Sequence, residues 1–392
     1  LSLQAIKELL DTVNHLQWYT PERLQQIQDI KLKQLVNYHS KFSPWFGSRV
    51  KAETLEPKGY LSQIPLTTRQ DIQSAREDFF ATEVPKEHGN VGTTKSSGST
   101  GEPVLIKATN VVATMFHALN IQETMWHRRD ITSKMCVVKA GQHETKEYPN
   151  WGQPYESMGK TGPFLVINGQ TDIAEQDRLI REFQPDILMC YPSNLKALLL
   201  MWKDNQLPFR LTHLKTLGET VSDELRILAG EVLKMRIEDS YSSQEVGTIA
   251  NQCPQTGLYH TADENLIVEV LGDDDLPVKV GESGRVVITD LHNYASPKIR
   301  YVTGDYAIRG GKCNCGRGLL TLQKIQGRER NLILRADGRR YWPQVGMYQF
   351  DQLDFQIRRY QVIQHDRENI EYKIQTDAEL TAEQRVKFLE VV

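Results

Sequence analysis

Between residues 130 and 250 the chain keeps a rhythm that few architectures can satisfy. Short apolar runs at 135–138, 164–167, 187–190 and 214–217 alternate with amphipathic stretches at 172–183, 193–204 and 222–235. Runs of strand length separated by helical periodicity predict βαβ units and a largely parallel sheet. From 256 to 310 the pattern changes. Leu266-Ile267-Val268-Glu269-Val270 and Val286-Val287-Ile288 are β-branched runs with Gly, Asp and Pro turns between them, which predicts antiparallel strands. Before the rhythm, residues 1–46 read as helices, with Ile6, Leu9, Leu10 and Val13 at helical spacing and Pro21 opening a second helix. A short helix follows the turn Ile64-Pro65-Leu66, and 110–128 is helical. Residues 331–392 are mixed, with strands and a helix from Thr381.

Composition narrows the class. The 392 residues suffice for two or three domains. Lys+Arg is 47 against Asp+Glu 50, a net charge of −3, which speaks against a chain built to bind nucleic acid. The longest apolar run, 197–202, falls far short of the about 20 residues a membrane helix requires. Five cysteines in a chain of this length are no disulfide scaffold. The expectation is a cytoplasmic, multi-domain globular protein without nucleic-acid or membrane partners.

Four segments carry chemistry. The first is Thr93-Thr94-Lys95-Ser96-Ser97-Gly98-Ser99-Thr100-Gly101-Glu102-Pro103, a Gly-rich, hydroxyl-rich tract whose backbone N–H groups could surround phosphate oxygens. It is not a Walker A loop, because no Gly-Lys-Ser/Thr closes it, and a plain linker has the same composition. The others are Asp239-Ser240-Tyr241-Ser242-Ser243-Gln244-Glu245-Val246-Gly247, Arg300-Tyr301-Val302-Thr303-Gly304-Asp305 and Gly327-Arg328-Glu329-Arg330. Singly each is bland: a strand end, a turn with an Asp, a basic run.

In this order and spacing the four resemble the core motifs of the adenylate-forming superfamily. Gln184-Pro185-Asp186-Ile187, Tyr191-Pro192-Ser193, Gly218-Glu219-Thr220 and Cys313-Asn314-Cys315-Gly316-Arg317 make the chain similar to the phenylacetate–CoA ligase branch. The resemblance covers essentially the whole chain. It implies an α/β fold: a large adenylating domain, 1–327, of β/α subdomains plus a strand-rich portion, and a small mobile α+β domain, 328–392. It also implies ATP, magnesium and CoA as cofactors and a small carboxylic acid as substrate, an aromatic one being favoured by family analogy, with homodimerisation left open. Ser96, Ser97, Gly98, Ser99, Thr100 and Gly101 correspond to the phosphate loop, with Lys95 beside it as a candidate catalytic cation. Gly218, Glu219, Asp239, Tyr241 and Ser242 correspond to the adenine segment. Glu245 corresponds to the magnesium ligand, Asp305 to the ribose acceptor, and Arg328 to the hinge residue that reaches ribose or phosphate.

Three departures bear on the reaction. Arg330 stands where the family often has Asp. The 139–160 segment, with Lys139-Ala140-Gly141-Gln142-His143 and Trp151-Gly152, replaces a Gly/Phe-rich substrate loop. No Gly-Lys setting for an adenylation lysine occurs after Arg330, so the small domain is expected to be incomplete and that lysine to lie beyond Val392. Transfer to CoA is the leading expectation. The alternatives are transfer to an amine, hydroxyl or carrier thiol, and a non-catalytic nucleotide binder on a ligase scaffold. Cys253, His260, Cys313 and Cys315 offer three thiols and an imidazole, a closed tetrahedral zinc set. Scattered reduced thiols are the other reading, and the resemblance favours a structural zinc. Cys136 and Cys190 lie inside apolar runs and read as core.

Overall fold

The computed structural model describes residues 2–95, 104–141, 144–334, 340–341, 350 and 353–391. The candidate phosphate-loop residues Ser96, Ser97, Gly98, Ser99, Thr100 and Gly101 lie outside that set.

Helices α1 (Leu3–Leu16) and α2 (Pro21–Phe42) open the chain, each started by a hydroxyl cap, Ser2 and Thr20, with Pro21 in the first turn. Short helices α3 (Pro44–Arg49) and α4 (Arg69–Ala75) follow. Thr68 and Asp71 close a capping box on α4. Strands β1 (Val91–Lys95) and β2 (Leu105–Thr109) form a separate antiparallel pair that leads into α5 (Asn110–Trp126). All of β1 is exposed. It therefore carries no apolar alternation, and a reading by pattern leaves it as part of the polar tract.

The βα rhythm is realised as expected. Strands β3 (Met135–Lys139), β4 (Lys146–Tyr148), β5 (Phe164–Asn168), β6 (Ile187–Cys190) and β7 (His213–Leu217) are joined by α6 (Ile173–Phe183) and α7 (Pro192–Asp204). Helix α8 (Asp223–Leu233) leads to β8 (Glu238–Ser243), β9 (Gly247–Gln252) and β10 (Tyr259–Thr261). Strands β11 (Leu266–Leu271), β12 (Ser283–Asp290), β13 (Tyr301–Arg309) and β14 (Thr321–Arg328) complete the sheet.

Its twelve strands run in the order β11-β12-β13-β14-β10-β9-β8-β7-β6-β3-β5-β4. From β5 through β8 neighbours pair in parallel, while β9 onward pairs antiparallel, so β8 has a parallel neighbour on one side and an antiparallel one on the other. One core lies under α6, α7 and α8, centred on Leu188, Leu198 and Trp202, with Cys136 and Cys190 buried in it. A second fills the antiparallel half around Ile249, Leu266 and Ile288.

Past Arg328 the chain forms two-residue strands β15 (Ile333–Leu334) and β16 (Arg340–Tyr341), then the hairpin β17 (Ile357–Gln364) and β18 (Ile370–Thr376), and ends in α9 (Ala382–Val391). Among the described residues no helix is long and apolar enough to cross a membrane.

Candidate functional site

In open α/β sheets the crevice past the carboxyl ends of the strands, where strand direction changes character, is the common place for a ligand. Here that edge is formed by Tyr191 after β6, Gly218 after β7 and Ser243 at the end of β8. Gly218 has φ +75, and a Cβ there would meet the Tyr191 ring at 2.9 Å, so the close passage of backbone over ring requires glycine. Glu219 turns back to α7. Its carboxylate accepts from the Ser193 N–H and hydroxyl at 2.9 Å each, which caps that helix.

The antiparallel half brings three of the candidate residues into contact. Tyr241 on β8 donates its hydroxyl to Asp305 Oδ2 at 2.7 Å. Asp305 on β13 lies opposite Arg328 on β14 in the ladder, and Arg328 Nε stands 3.3 Å from Asp305 Oδ1. Thr303 Oγ1 accepts from the Asp305 N–H at 3.1 Å. Burial pushes the Asp305 carboxyl up from its ordinary value, the Tyr241 bond and Arg328 pull against it, and nearby Glu245 adds to the rise. The Tyr241 ring itself is packed in the second core.

Glu245 follows β8, and its partner is a residue that no sequence motif marks: Arg69 of α4, 4.0 Å away. Lys298 is also near. It is 2% exposed, its Nζ has no hydrogen-bond partner among the described residues, and Asp290 and Glu245 are its charged neighbours. Burial lowers its pKa, and the two carboxylates oppose that. Asp239, on β8, is buried and doubly held: Thr216 Oγ1 donates to Oδ1 and the Tyr259 hydroxyl to Oδ2, both at 2.7 Å. Ser242 is exposed on β8, and Lys95 is exposed at the end of β1. Thr216, Tyr259, Arg69 and Lys298 were not legible as site residues, because no motif marks them and packing alone brings them to these partners.

Cys253, His260, Cys313 and Cys315 converge, with one ligand atom from each within 4.8 Å of the others. Cys253 and Cys313 sulfurs are 3.8 Å apart, about the edge of a tetrahedron with metal–sulfur bonds of ~2.3 Å. His260 Nε2 is 3.1 Å from Cys315 Sγ. Burial raises the Cys253 thiol, but bonds from His260 and from the backbone of Thr256 and Gln255 outweigh it and hold the thiol well below its usual range. Three sulfurs and an imidazole, one thiol biased toward thiolate, fit zinc and leave no ligand position open. A second cluster, Glu123, His127 and Glu238, has metal-ligand composition, but Arg129 and Lys215 already hold its carboxylates.

No protein-family model matches the chain. It is 26% identical to the phenylacetate–coenzyme A ligase of Thermus thermophilus over 334 residues, 80% of this chain and 72% of that one. It is 25% identical to the Escherichia coli enzyme of the same name over 349 residues, 80% and 73% respectively. Among solved structures, an open conformation of a 2-hydroxyisobutyryl-CoA ligase with 2-HIB-AMP and CoA superposes with TM-score 0.64, 16% identity, and 89% of this chain on 79% of that one. An anthranilate CoA ligase with anthranoyl-AMP gives TM-score 0.55, 15% identity, and 76% on 60%. The fold is that of the adenylate-forming acid–CoA ligases. Both of these relatives by sequence are phenylacetate–coenzyme A ligases.

Proposed function

We propose that the chain activates a small carboxylic acid with ATP and passes the acyl group to CoA. The carrying observation is the contact of Tyr241, Asp305 and Arg328 beside Glu245, at the sheet edge where this fold class places its ligands. In the first half-reaction a carboxylate oxygen bonds to the α-phosphorus, and pyrophosphate leaves with the P–O electron pair. In the second, the CoA thiolate bonds to the acyl carbon and AMP leaves.

The assignments follow the resemblance of the motifs, and donor chemistry supports them. Asp305 is an acceptor-only group suited to both ribose hydroxyls, a charge-assisted arrangement. Arg328, on the neighbouring strand, would compensate charge at the ribose or phosphate. Glu245 offers a hard oxygen to Mg2+, whose chemistry is to neutralise phosphate charge. Gly218, Glu219, Asp239 and Ser242 would wall the adenine. Ser96, Ser97, Gly98, Ser99, Thr100 and Gly101 would cradle phosphates, with Lys95 adjacent. Cys253, His260, Cys313 and Cys315 would hold a structural zinc. The relatives' name points to an aromatic acid. The test is acid-dependent pyrophosphate exchange over a panel of acids, then CoA-dependent AMP release. Exchange with at least one acid, lost in Glu245→Ala without loss of fold, supports the reading. Exchange undiminished in Glu245→Ala removes the magnesium assignment, and no exchange with any acid leaves a nucleotide binder.

A further inference from the structure

We propose that Gln252 and Tyr259 are positioning residues through which the Cys/His cluster holds Asp239, a proposal that rests on Asp239 belonging to the nucleotide pocket. Gln252 ends β9 and Tyr259 begins β10, and the two are paired across the hairpin. Each is followed directly by a cluster residue, Cys253 after Gln252 and His260 after Tyr259. Each also grips Asp239. Gln252 Oε1 accepts from the Asp239 N–H at 3.2 Å, while the Tyr259 hydroxyl donates to Asp239 Oδ2 at 2.7 Å.

Both grips are braced from behind. Gln252 Nε2 donates to the Gly257 carbonyl at 2.9 Å, inside the turn between the two ligands. That turn is closed by Gly257 N–H to the Cys253 carbonyl at 2.9 Å and Cys253 N–H to the Leu258 carbonyl at 2.7 Å. The Tyr259 oxygen accepts from Arg226 Nη2 at 2.7 Å, so its own proton is directed at Asp239. Strand β10 is three residues long, so few ladder bonds fix its register. A metal on Cys253 and His260 would fix that register, and with it the Gln252 amide and the Tyr259 hydroxyl. From the parallel half, Thr216 of β7 holds the Asp239 side chain. The cluster thus lies outside the chemistry but sets the wall on which adenine would rest.

The experiment compares wild type, Tyr259→Phe, Gln252→Leu and the double variant, as full chains. Zinc content is read by mass spectrometry, fold by circular dichroism, and AMP affinity by calorimetry, each before and after treatment with a chelator. Expected is about one zinc per chain in all four, with the AMP dissociation constant raised about five- to tenfold in each single variant, the loss of one buried hydrogen bond. Chelation raises the constant in wild type and adds little in the double variant, because the link is already cut. The single variants decide the matter even if the stripped protein unfolds. Unchanged AMP affinity in zinc-loaded single variants overturns the proposal, as does an equal chelation effect in wild type and the double variant. Wild type that binds no AMP overturns the proposed function and this proposal with it.

Discussion

Asp305 and Glu264 are both buried carboxyls that burial pushes up, and they differ in the donors that face them. Asp305 is 7% exposed, yet a hydroxyl and a guanidinium face its two oxygens, one each. Those donors oppose the rise that burial imposes, without cancelling it. Asp305→Ala is expected to weaken ATP binding, since a charge-assisted hydrogen bond contributes about 1.5–3 kcal/mol. Calorimetry that returns wild-type affinity would remove Asp305 from the ribose site. Glu264 is 3% exposed, and its Oε2 has no hydrogen-bond partner among the described residues. Burial pushes its carboxyl up to about 8, and Asp263 adds to the rise, while its own backbone N–H, Gln122 and Arg317 only partly oppose it. With the folded pKa above the unfolded one, the folded state keeps its proton where the unfolded chain has lost it. Stability is therefore lost as pH rises from the ordinary carboxylate range through about 8. Glu264→Gln removes that loss, so its gain in melting temperature should be small at pH 5 and larger at pH 8. Melts at the two pH values check this, and an equal gain at both would show that the carboxyl does not titrate in that window.

Helix α5 and strands β7 and β8 meet through charge rather than through apolar packing alone. Arg129 donates to both oxygens of Glu123, at 2.5 and 2.6 Å, and through Nε to Glu238 at 2.9 Å. Lys215 reaches Glu123 at 2.7 Å, and His213 Nδ1 lies 2.7 Å from Glu238. Removing one partner of such a buried set strands the others, so Arg129→Met is expected to cost about 3–5 kcal/mol, read as a lower urea midpoint. An unchanged midpoint would mean that the carboxylates find water. This junction also shows where a sequence is readable and where it is not. The strands β3, β5, β6 and β7 announce themselves because a buried parallel strand must be apolar on both faces. The Glu123–Arg129–Lys215–Glu238 network does not, since its members look like ordinary surface charges until α5 is laid against the sheet. Exposed β1 is silent for the opposite reason, having nothing buried to mark it. At the site, Glu245 and Asp305 were legible through the resemblance of short motifs. Arg69 and Lys298 were not, because tertiary packing alone delivers them.

At the scale of the whole molecule, the Cys/His cluster stands where three parts of the fold meet. Cys253 and His260 belong to the β9–β10 hairpin, and Cys313 and Cys315 to the connection between β13 and β14. That connection continues under the start of the chain. The Gly318 N–H donates to the Gln17 carbonyl at 3.0 Å, and a Cβ at 318 would stand 1.8 Å from the Tyr19 carbonyl oxygen, so only glycine passes there. Arg317 lies over the rings of Trp18, at 5.1 Å, and Trp126, at 4.1 Å, joining the α1–α2 junction to the end of α5. Trp126 in turn meets His260 edge-on at 5.8 Å. A metal here would act as a cross-link between segments distant in sequence, restricting the unfolded chain as well as ordering the folded one. Cys313→Ser is therefore expected to lower zinc from about one per chain and to cost about 2–5 kcal/mol, the range for losing a covalent staple. The loss should also spread beyond the ligands. Amide exchange should quicken at Gly318 and Leu24, whose N–H groups bond across or beside the α1–α2 junction, while Leu188 and Leu214 in the parallel core stay protected. Exchange faster only between 253 and 260 would confine the cluster to its own hairpin. Protein that holds no zinc when purified without chelator would leave three reduced thiols beside a histidine.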